Sequence, residues 1–320
     1  MILDKMQVCN IYGIMRRSWK SKISLYNFET YEAMENDGKV LMKVGITACS
    51  DGQLKEWENQ NEELKTILYE QGIEAVFAKH IYVKEDSFSG TDEERAEDLM
   101  GFYQDDSIDA TYDISGGDLA NGVLKYLDWD VIAATKKMFW GYSDLTTIIN
   151  AIYTKTGKSS VLYQIKNLVY ANGELQRKRY AEFVSKKNNE LLDIKYTFLQ
   201  GERMEGIVVG GNIRCLLKLA GTEYWPDMNG KILLLEAYGG KISQIAALFT
   251  QLEQMGVFKQ VEGIILGTFT AYEKSSAKQS VFDLLKEHIP ETLPVAKTSE
   301  IGHGTDSKAI VIGHNMELRD

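Results

Sequence analysis

The segment FWGYSDLT, residues 139–146, carries an apolar run into a glycine-containing turn and directly on into a stretch with helical spacing. This order of patterns is typical of a strand-to-helix connection in an α/β domain. When Gly-x-Ser stands at such a turn, the serine hydroxyl is exposed above the sheet. Ser143 occupies that position, although Leu145 stands where the full Gly-x-Ser-x-Gly motif has its second glycine.

The same alternation of apolar runs and helical stretches continues on both sides of this segment. Strands are predicted at residues 44–48, 75–78, 110–114, 137–140, 231–235, 261–269 and 309–312. Helices are predicted after the capping-box sequence Thr91-Asp92-Glu93-Glu94 and at residues 242–255 and 281–289. A polar stretch at 176–202 separates the two series of strands. Because strands that alternate with helices form parallel sheets, we predict two α/β domains with the ligand site at the carboxyl ends of the strands.

The composition excludes several classes of function. The chain has 320 residues, about the length of two domains, and its 36 Lys and Arg against 46 Asp and Glu give a net charge of −10. A nucleic-acid binder needs a basic surface, and an anionic membrane would repel this chain, so we expect neither partner. No apolar run reaches about 18 residues and no secretion signal is evident, which predicts a cytoplasmic protein.

Metal and cofactor chemistry has no support in the sequence. Cys9, Cys49 and Cys215 are scattered, without the spacing of a zinc site, and are expected to be reduced thiols. The glycine-rich nucleotide loops, the HExxH motif and the calcium-binding EF-hand loop are absent. We therefore expect neither a metal nor an organic cofactor.

A nucleophilic serine needs a base and a carboxylate that orients the base. Of four histidines, His303 is flanked by glycines, and Glu236 ends the apolar run 232–235. The amide of Asp144, at the start of a helix, would point toward an oxyanion formed on attack by Ser143. Two alternatives remain open at this point. Ser143 or Asp144 simply caps the helix, which the segment alone favours, and Glu236 leaves the core and meets solvent.

A set of ordered segments adds to this interpretation. They are Gly116-Gly117-Asp118-Leu119-Ala120-Asn121, Leu127-Asp128, Gly141-Tyr142-Ser143-Asp144, Gly210-Gly211-Asn212, Gly221-Thr222, Leu235-Glu236 and Gly302-His303-Gly304. Together they resemble the serine peptidases that include the cytoplasmic LD-carboxypeptidases of murein recycling and the microcin C immunity proteins. The resemblance extends from about Lys43 to the C-terminus.

The resemblance implies a fold and a set of site residues. The expected fold is a flavodoxin-like N-terminal α/β domain and a smaller C-terminal α/β domain, with the site in the cleft between them. Ser143, Glu236 and His303 are implied as a catalytic triad, and the backbone amides of Asp144 and Gly117 as the oxyanion hole. The expected domains are an N-terminal extension at 1–40, the first domain at 41–175, a linker at 176–205 and the second domain at 206–320.

The implied activity is hydrolysis of a terminal amide in a small peptide or peptidyl-nucleotide. The L-to-D bond of murein-derived peptides is the first expectation. An aminoacyl-nucleotide amide of the microcin type is the alternative, and a non-catalytic ligand-binding member is the third. Three departures from the family pattern, at Ser115, Gln164 and Lys241, are expected on the substrate side, and residues 120–128 look closer to the microcin-immunity branch. A homodimer is a further expectation from the family.

Overall fold

The structure is a computed structural model that describes residues 42–275 and 278–320. The N-terminal extension expected at residues 1–40 lies outside the described residues. The strands are β1 (Met42–Thr47), β2 (Ile73–Phe77), β3 (Ala110–Asp113), β4 (Met138–Gly141), β5 (Ser160–Leu162), β6 (Thr197–Gln200), β7 (Arg203–Asn212), β8 (Lys231–Ala237), β9 (Gly263–Phe269), β10 (Val295–Lys297), β11 (Ile310–Ile312) and β12 (Asn315–Arg319). The helices are α1 (Glu58–Glu70), α2 (Asp92–Gln104), α3 (Trp129–Ala134), α4 (Thr146–Thr156), α5 (Gly173–Val184), α6 (Ile213–Leu217), α7 (Ile242–Gln254), α8 (Thr270–Glu273) and α9 (Val281–Leu285).

The first sheet has the strand order β11-β5-β4-β3-β1-β2. Strands β1 to β5 run parallel to their neighbours, and β11 is antiparallel to β5. Parallel strands lie between helices and are therefore buried on both faces, as the neighbouring residues Ile46 and Thr47 of β1 show, since their side chains point to opposite faces. The predicted capping box at the start of α2 is confirmed, because Thr91 and Glu94 each accept a hydrogen bond from the other's backbone amide.

The second sheet has the order β12-β7-β8-β9-β10-β6. Its four central strands are parallel, and β12 and β6 are antiparallel at the two edges. The prediction of two α/β domains with largely parallel sheets is confirmed. Within the described residues, no helix combines the length and apolar character that a membrane crossing requires.

The stretch 176–205, expected as a linker, contains regular structure that belongs to both domains. Most of α5 lies in it, and Tyr180 of that helix is fully buried in the core of the first domain. Strand β6 then pairs with β10 at the edge of the second sheet. Later in the chain β11 returns to the first sheet, so residues 310–312 of the expected second domain pair with β5. The segment looked like a linker because its exposed side chains are mostly polar, while buried positions such as Leu191 are few.

Helix α4 joins the two domains beside the site. The Asn150 side chain accepts a hydrogen bond from the Gly210 amide at 2.8 Å and donates one to the Gly210 carbonyl at 2.9 Å. One turn earlier, the Thr146 hydroxyl accepts a hydrogen bond from the Asn212 amide at 3.0 Å. These buried bonds hold the carboxyl end of β7 against the start of α4, three residues after Ser143.

Candidate active site

Ser143 lies where β4 ends and the chain turns into α4. Its φ of 55° falls in the left-handed region, which residues other than glycine adopt uncommonly. Backbone strain of this kind is retained where the surrounding structure fixes a functional side chain. Residues Ser143–Leu145 form a single 3-10 turn, and the Ser143 hydroxyl lines the cleft between the domains. The strand-to-helix elbow predicted from the sequence is therefore present.

His303 connects Ser143 to Glu236. Its Nε2 lies 3.1 Å from Ser143 Oγ, and its Nδ1 lies 2.7 Å from Glu236 Oε2. An ionised carboxylate only accepts hydrogen bonds, so Nδ1–H donates to Glu236 and Nε2 is left to accept the serine proton. Glu236 is fully buried at the end of β8, and His303 lies in the loop between β10 and β11. The structure thus brings together the three residues that the resemblance implies, and Glu236 does not meet solvent.

Tyr142 supports the carboxylate of Glu236. Its hydroxyl donates to Glu236 Oε2 at 3.2 Å, and its ring centroid lies 4.9 Å from that of His303. Burial, with the nearby charge of Glu236, raises the pKa of Tyr142, so its hydroxyl stays a donor. The other oxygen, Oε1, has no hydrogen-bond partner among the described residues. Sequence analysis missed Tyr142 as a functional residue, although it stands directly before the proposed nucleophile.

Replacing Tyr142 by Phe is expected to lower kcat about tenfold, because Glu236 then loses a hydroxyl donor in a buried site. Steady-state kinetics on the same substrate would measure the loss. Tyr238→Phe is the matched control, since the Tyr238 ring also packs 5.1 Å from His303 but is largely exposed. Equal activities of the two variants would contradict the role given to Tyr142.

The Gly116-Gly117 turn lies beside Ser143. A Cβ on Gly116 would be 3.8 Å from Ser143 Cβ, so the Gly116 backbone lies next to the Ser143 side chain. Gly117 has φ +123°, and a Cβ there would lie 2.1 Å from the Asp51 carboxyl carbon. Asp51 in turn accepts a hydrogen bond from the Asp118 amide at 2.8 Å. A glycine is therefore required at 117 for both the backbone conformation and the close approach of Asp51.

The side chain of Asp144 is an anchor between the two domains. It is fully buried, and Oδ2 accepts hydrogen bonds from the Ser50 hydroxyl at 2.7 Å and the Ala120 amide at 2.9 Å. Oδ1 binds Lys218 Nζ of the second domain at 2.5 Å. Lys218 also donates to the Asp118 carbonyl at 2.8 Å, so one cation fixes both backbone segments expected to form the oxyanion hole.

Replacing Lys218 by Met is expected to lower the free energy of unfolding by about 3 kcal/mol, because the buried Asp144 carboxylate loses its counter-ion. Turnover is expected to fall as well, since the Asp144 amide is one of the two that are expected to donate to the oxyanion. Lys155→Met is the control, because Lys155 forms a 2.7 Å ion pair with the exposed Glu223 across the same two domains. That surface pair is worth at most about 1 kcal/mol. Urea denaturation compares the two variants, and equal losses would refute this account of Asp144.

Helix α5 holds the loop that carries His303. The fully buried Gln176 donates to the carbonyls of Thr305 at 3.0 Å and Ser307 at 2.7 Å. Asn172, just before the helix, donates to the Thr305 hydroxyl at 2.7 Å. No sequence pattern predicts this contact, because Gln176 looks like any polar residue of a connecting segment.

A cavity of about 450 Å³ opens between the domains at this point. Ser143 and His303 line it, as do Ser115 and Gln164, two of the three departures from the family pattern. Lys241, the third, is exposed at the N-terminus of α7 and is not among the lining residues. The expectation that Lys241 lies on the substrate side stays a prediction.

Comparison with known proteins identifies the family. Residues 44–163 match the LD-carboxypeptidase N-terminal domain and residues 205–318 match the LD-carboxypeptidase C-terminal domain. The chain belongs to the LD-carboxypeptidase family of S66 peptidases. The resemblance predicted from the ordered segments is thus confirmed, and the chain is assigned as a serine-type peptidase of this family.

Relatives of two kinds lie within the LD-carboxypeptidase family. The chain is 29% identical over 265 residues to the microcin C7 self-immunity protein MccF of Escherichia coli, covering 72% of this chain and 76% of that protein. It is 27% identical to the probable murein peptide carboxypeptidase of Bacillus subtilis, with 77% and 80% covered. The fold matches MccF in complex with glutamyl sulfamoyl guanosine, with a TM-score of 0.78, 22% identity, and 88% and 96% of the chains covered. It also matches the muramoyltetrapeptide carboxypeptidase of Oxalobacter formigenes, with a TM-score of 0.73, 20% identity, and 87% and 99% covered.

Proposed function

We propose that Ser143, His303 and Glu236 form the catalytic triad of a carboxypeptidase-like hydrolase, which cleaves the terminal L-to-D amide of murein-derived peptides. The observation that carries the proposal is the continuous pair of hydrogen bonds, 3.1 Å from Ser143 Oγ to His303 and 2.7 Å from His303 to Glu236. Side chains from two domains converge in this order at a cavity that suits the end of a short peptide.

The reaction begins when His303 Nε2 takes the proton of Ser143 as Oγ attacks the scissile carbonyl carbon. Glu236 stabilises the imidazolium that forms and holds its Nδ1–H. The amides of Asp144 and Gly117 donate to the oxyanion, and each such donor is worth about 3 kcal/mol in the transition state. His303 then gives the proton to the leaving amine, and a water molecule hydrolyses the acyl-enzyme by the same steps.

A second substrate, an aminoacyl-nucleotide amide, is supported by the likeness to MccF. Structures of MccF with aspartyl sulfamoyl adenosine and with glutamyl sulfamoyl guanosine are among the fold matches. The same triad would cleave this amide, because attack on a carbonyl carbon is common to both substrates. A member that binds ligand without turnover remains the third proposal, and the complete triad argues against it.

Mass spectrometry of products separates these proposals. Wild-type protein and Ser143→Ala are incubated separately with a murein tetrapeptide and with an aspartyl-adenylate amide. Release of D-alanine only by the wild type supports the LD-carboxypeptidase proposal, and cleavage of the nucleotide amide alone supports the immunity-type hydrolase. Cleavage of neither, with the protein folded, overturns both. The homodimer and the cytoplasmic location stay predictions, which light scattering and cell fractionation would check.

A further inference from the structure

Lys166 brings a buried ammonium group to the cavity that Ser143 and His303 line. The residue is 1% exposed and lies in the 3-10 turn Ile165–Leu168 that follows β5. The Gln164 side chain, at one of the departures from the family pattern, accepts a hydrogen bond from the Lys166 amide at 3.2 Å. The proposed mechanism gives Lys166 no task, so its presence in the cavity wall calls for another explanation.

The ammonium group of Lys166 is incompletely paired. An ammonium has three N–H donors, and in the described part of the chain that of Lys166 has one acceptor, Gln53 Oε1 at 2.8 Å, and no ion pair. The buried Lys137 differs, because three backbone carbonyls within 2.9 Å accept from it. Lys308, which also lines the cavity, donates to the Asp193 carbonyl at 2.6 Å and pairs with Glu300 at 3.1 Å.

Two aromatic rings hold the charge in place without using its N–H donors. Lys166 Nζ lies 4.7 Å from the ring centroid of Trp57 and 5.8 Å from that of Tyr170, and both rings line the cavity. Burial lowers the pKa of Lys166 to about 8, so the group is still mostly protonated at pH 7. A buried cation with free donors in a substrate cavity is complementary to an anion.

We propose that Lys166 and Gln53 form a subsite for an anionic group that the substrate carries apart from its scissile carbonyl. The side-chain oxygen of Gln53 accepts a hydrogen bond from Lys166, and the amide N–H of Gln53 is left to donate to the same anion. This anionic group is either a carboxylate of a peptide or the phosphoryl group of a nucleotide amide. This inference rests on the proposed function, because it places the anion in the same cavity as Ser143.

The test is isothermal titration calorimetry in the Ser143→Ala protein, which binds without turnover. The probes are a murein tetrapeptide, three analogues with one carboxylate at a time converted to the carboxamide, and an aspartyl-adenylate amide. Lys166→Met is expected to weaken binding of the tetrapeptide or the nucleotide amide about 10- to 100-fold, the effect of losing a charge-assisted hydrogen bond. If the anion is a peptide carboxylate, one carboxamide analogue binds equally weakly with and without Lys166.

Two controls keep the outcome specific. Lys55→Met removes the same charge from an exposed side chain near Trp57, outside the cavity, and is expected to leave every affinity unchanged. Lys166→Met removes a buried charge and puts an apolar chain of similar length beside the Trp57 and Tyr170 rings, so its melting temperature is expected not to fall. Lys166→Gln serves as a second neutral variant, with the same loss of affinity expected.

Labelling of Ser143 with a neutral fluorophosphonate separates failure of the subsite from failure of the proposed function. Labelling of both wild type and Lys166→Met, with unchanged affinities in the calorimeter, overturns the subsite and leaves the triad intact. The subsite is also overturned if Lys166→Met weakens binding of the tetrapeptide, no carboxamide analogue shows the same loss, and binding of the nucleotide amide is unaffected. Absence of labelling in the folded wild type would instead overturn the proposed function, and the subsite with it.

Discussion

Replacing Ser143 by Ala is expected to reduce turnover by about 10⁶-fold while leaving the melting temperature within about 2 °C of the wild type. The large effect arises because Oγ is the atom that attacks, and no other group replaces it in the covalent step. The small effect on stability arises because alanine meets the same backbone strain at φ 55° as serine, and only the 3.1 Å contact with His303 is lost. Product assays and thermal unfolding measure the two quantities.

Ser87→Ala is the matched control for that experiment. Ser87 lines the same cavity but is exposed, and it is not a member of the hydrogen-bonded chain of Ser143, His303 and Glu236. A fluorophosphonate should label wild type and Ser87→Ala at one site, and intact-mass spectrometry should find Ser143→Ala unlabelled. Labelling or turnover retained in Ser143→Ala would transfer the nucleophile to another residue.

Local pattern was enough to predict the elements around Ser143. The apolar run, the glycine turn and the helical spacing lie within eight residues, and each depends only on near neighbours. The contacts of His303 with Ser143 and Glu236 could not be predicted from local pattern, because the paired residues are 160 and 67 positions apart along the chain. Local spacing carries no information on such contacts, so they entered the sequence analysis through the resemblance to the family.

The regions that the sequence misjudged share a physical cause. Helix α5 is largely polar, so its buried Tyr180 and Gln176 were not distinguished from the surface residues of a linker. Strand β11 has only three residues, and nothing in Ile310–Ile312 tells which sheet it joins. Lys166 was overlooked because a lysine is ordinarily exposed, and the residues around its ammonium group include Trp57, more than 100 residues earlier.

Replacing Glu236 by Gln is expected to lower kcat/KM by about 10⁴-fold without loss of the fold. The glutamine amide donates to His303 Nδ1, which forces the ring proton onto Nε2, and Nε2 then faces Ser143 as a donor instead of a base. Glu236 is fully buried, and its Oε1 has no hydrogen-bond partner among the described residues. Removing a buried charge with an unpaired oxygen relieves a desolvation cost, so the melting temperature is expected not to fall.

The second domain offers a matched pair for this experiment, since Glu253 contacts His288 Nδ1 at 2.6 Å outside the cavity. Glu253→Gln makes the same chemical change to a Glu–His pair and should leave kcat/KM unchanged. Because the His303 tautomer affects proton transfer and not binding, the loss in Glu236→Gln should lie in kcat, with KM altered little. A loss confined to KM would mean that Glu236 shapes the substrate site, and near-normal activity would assign the orienting role to a different group.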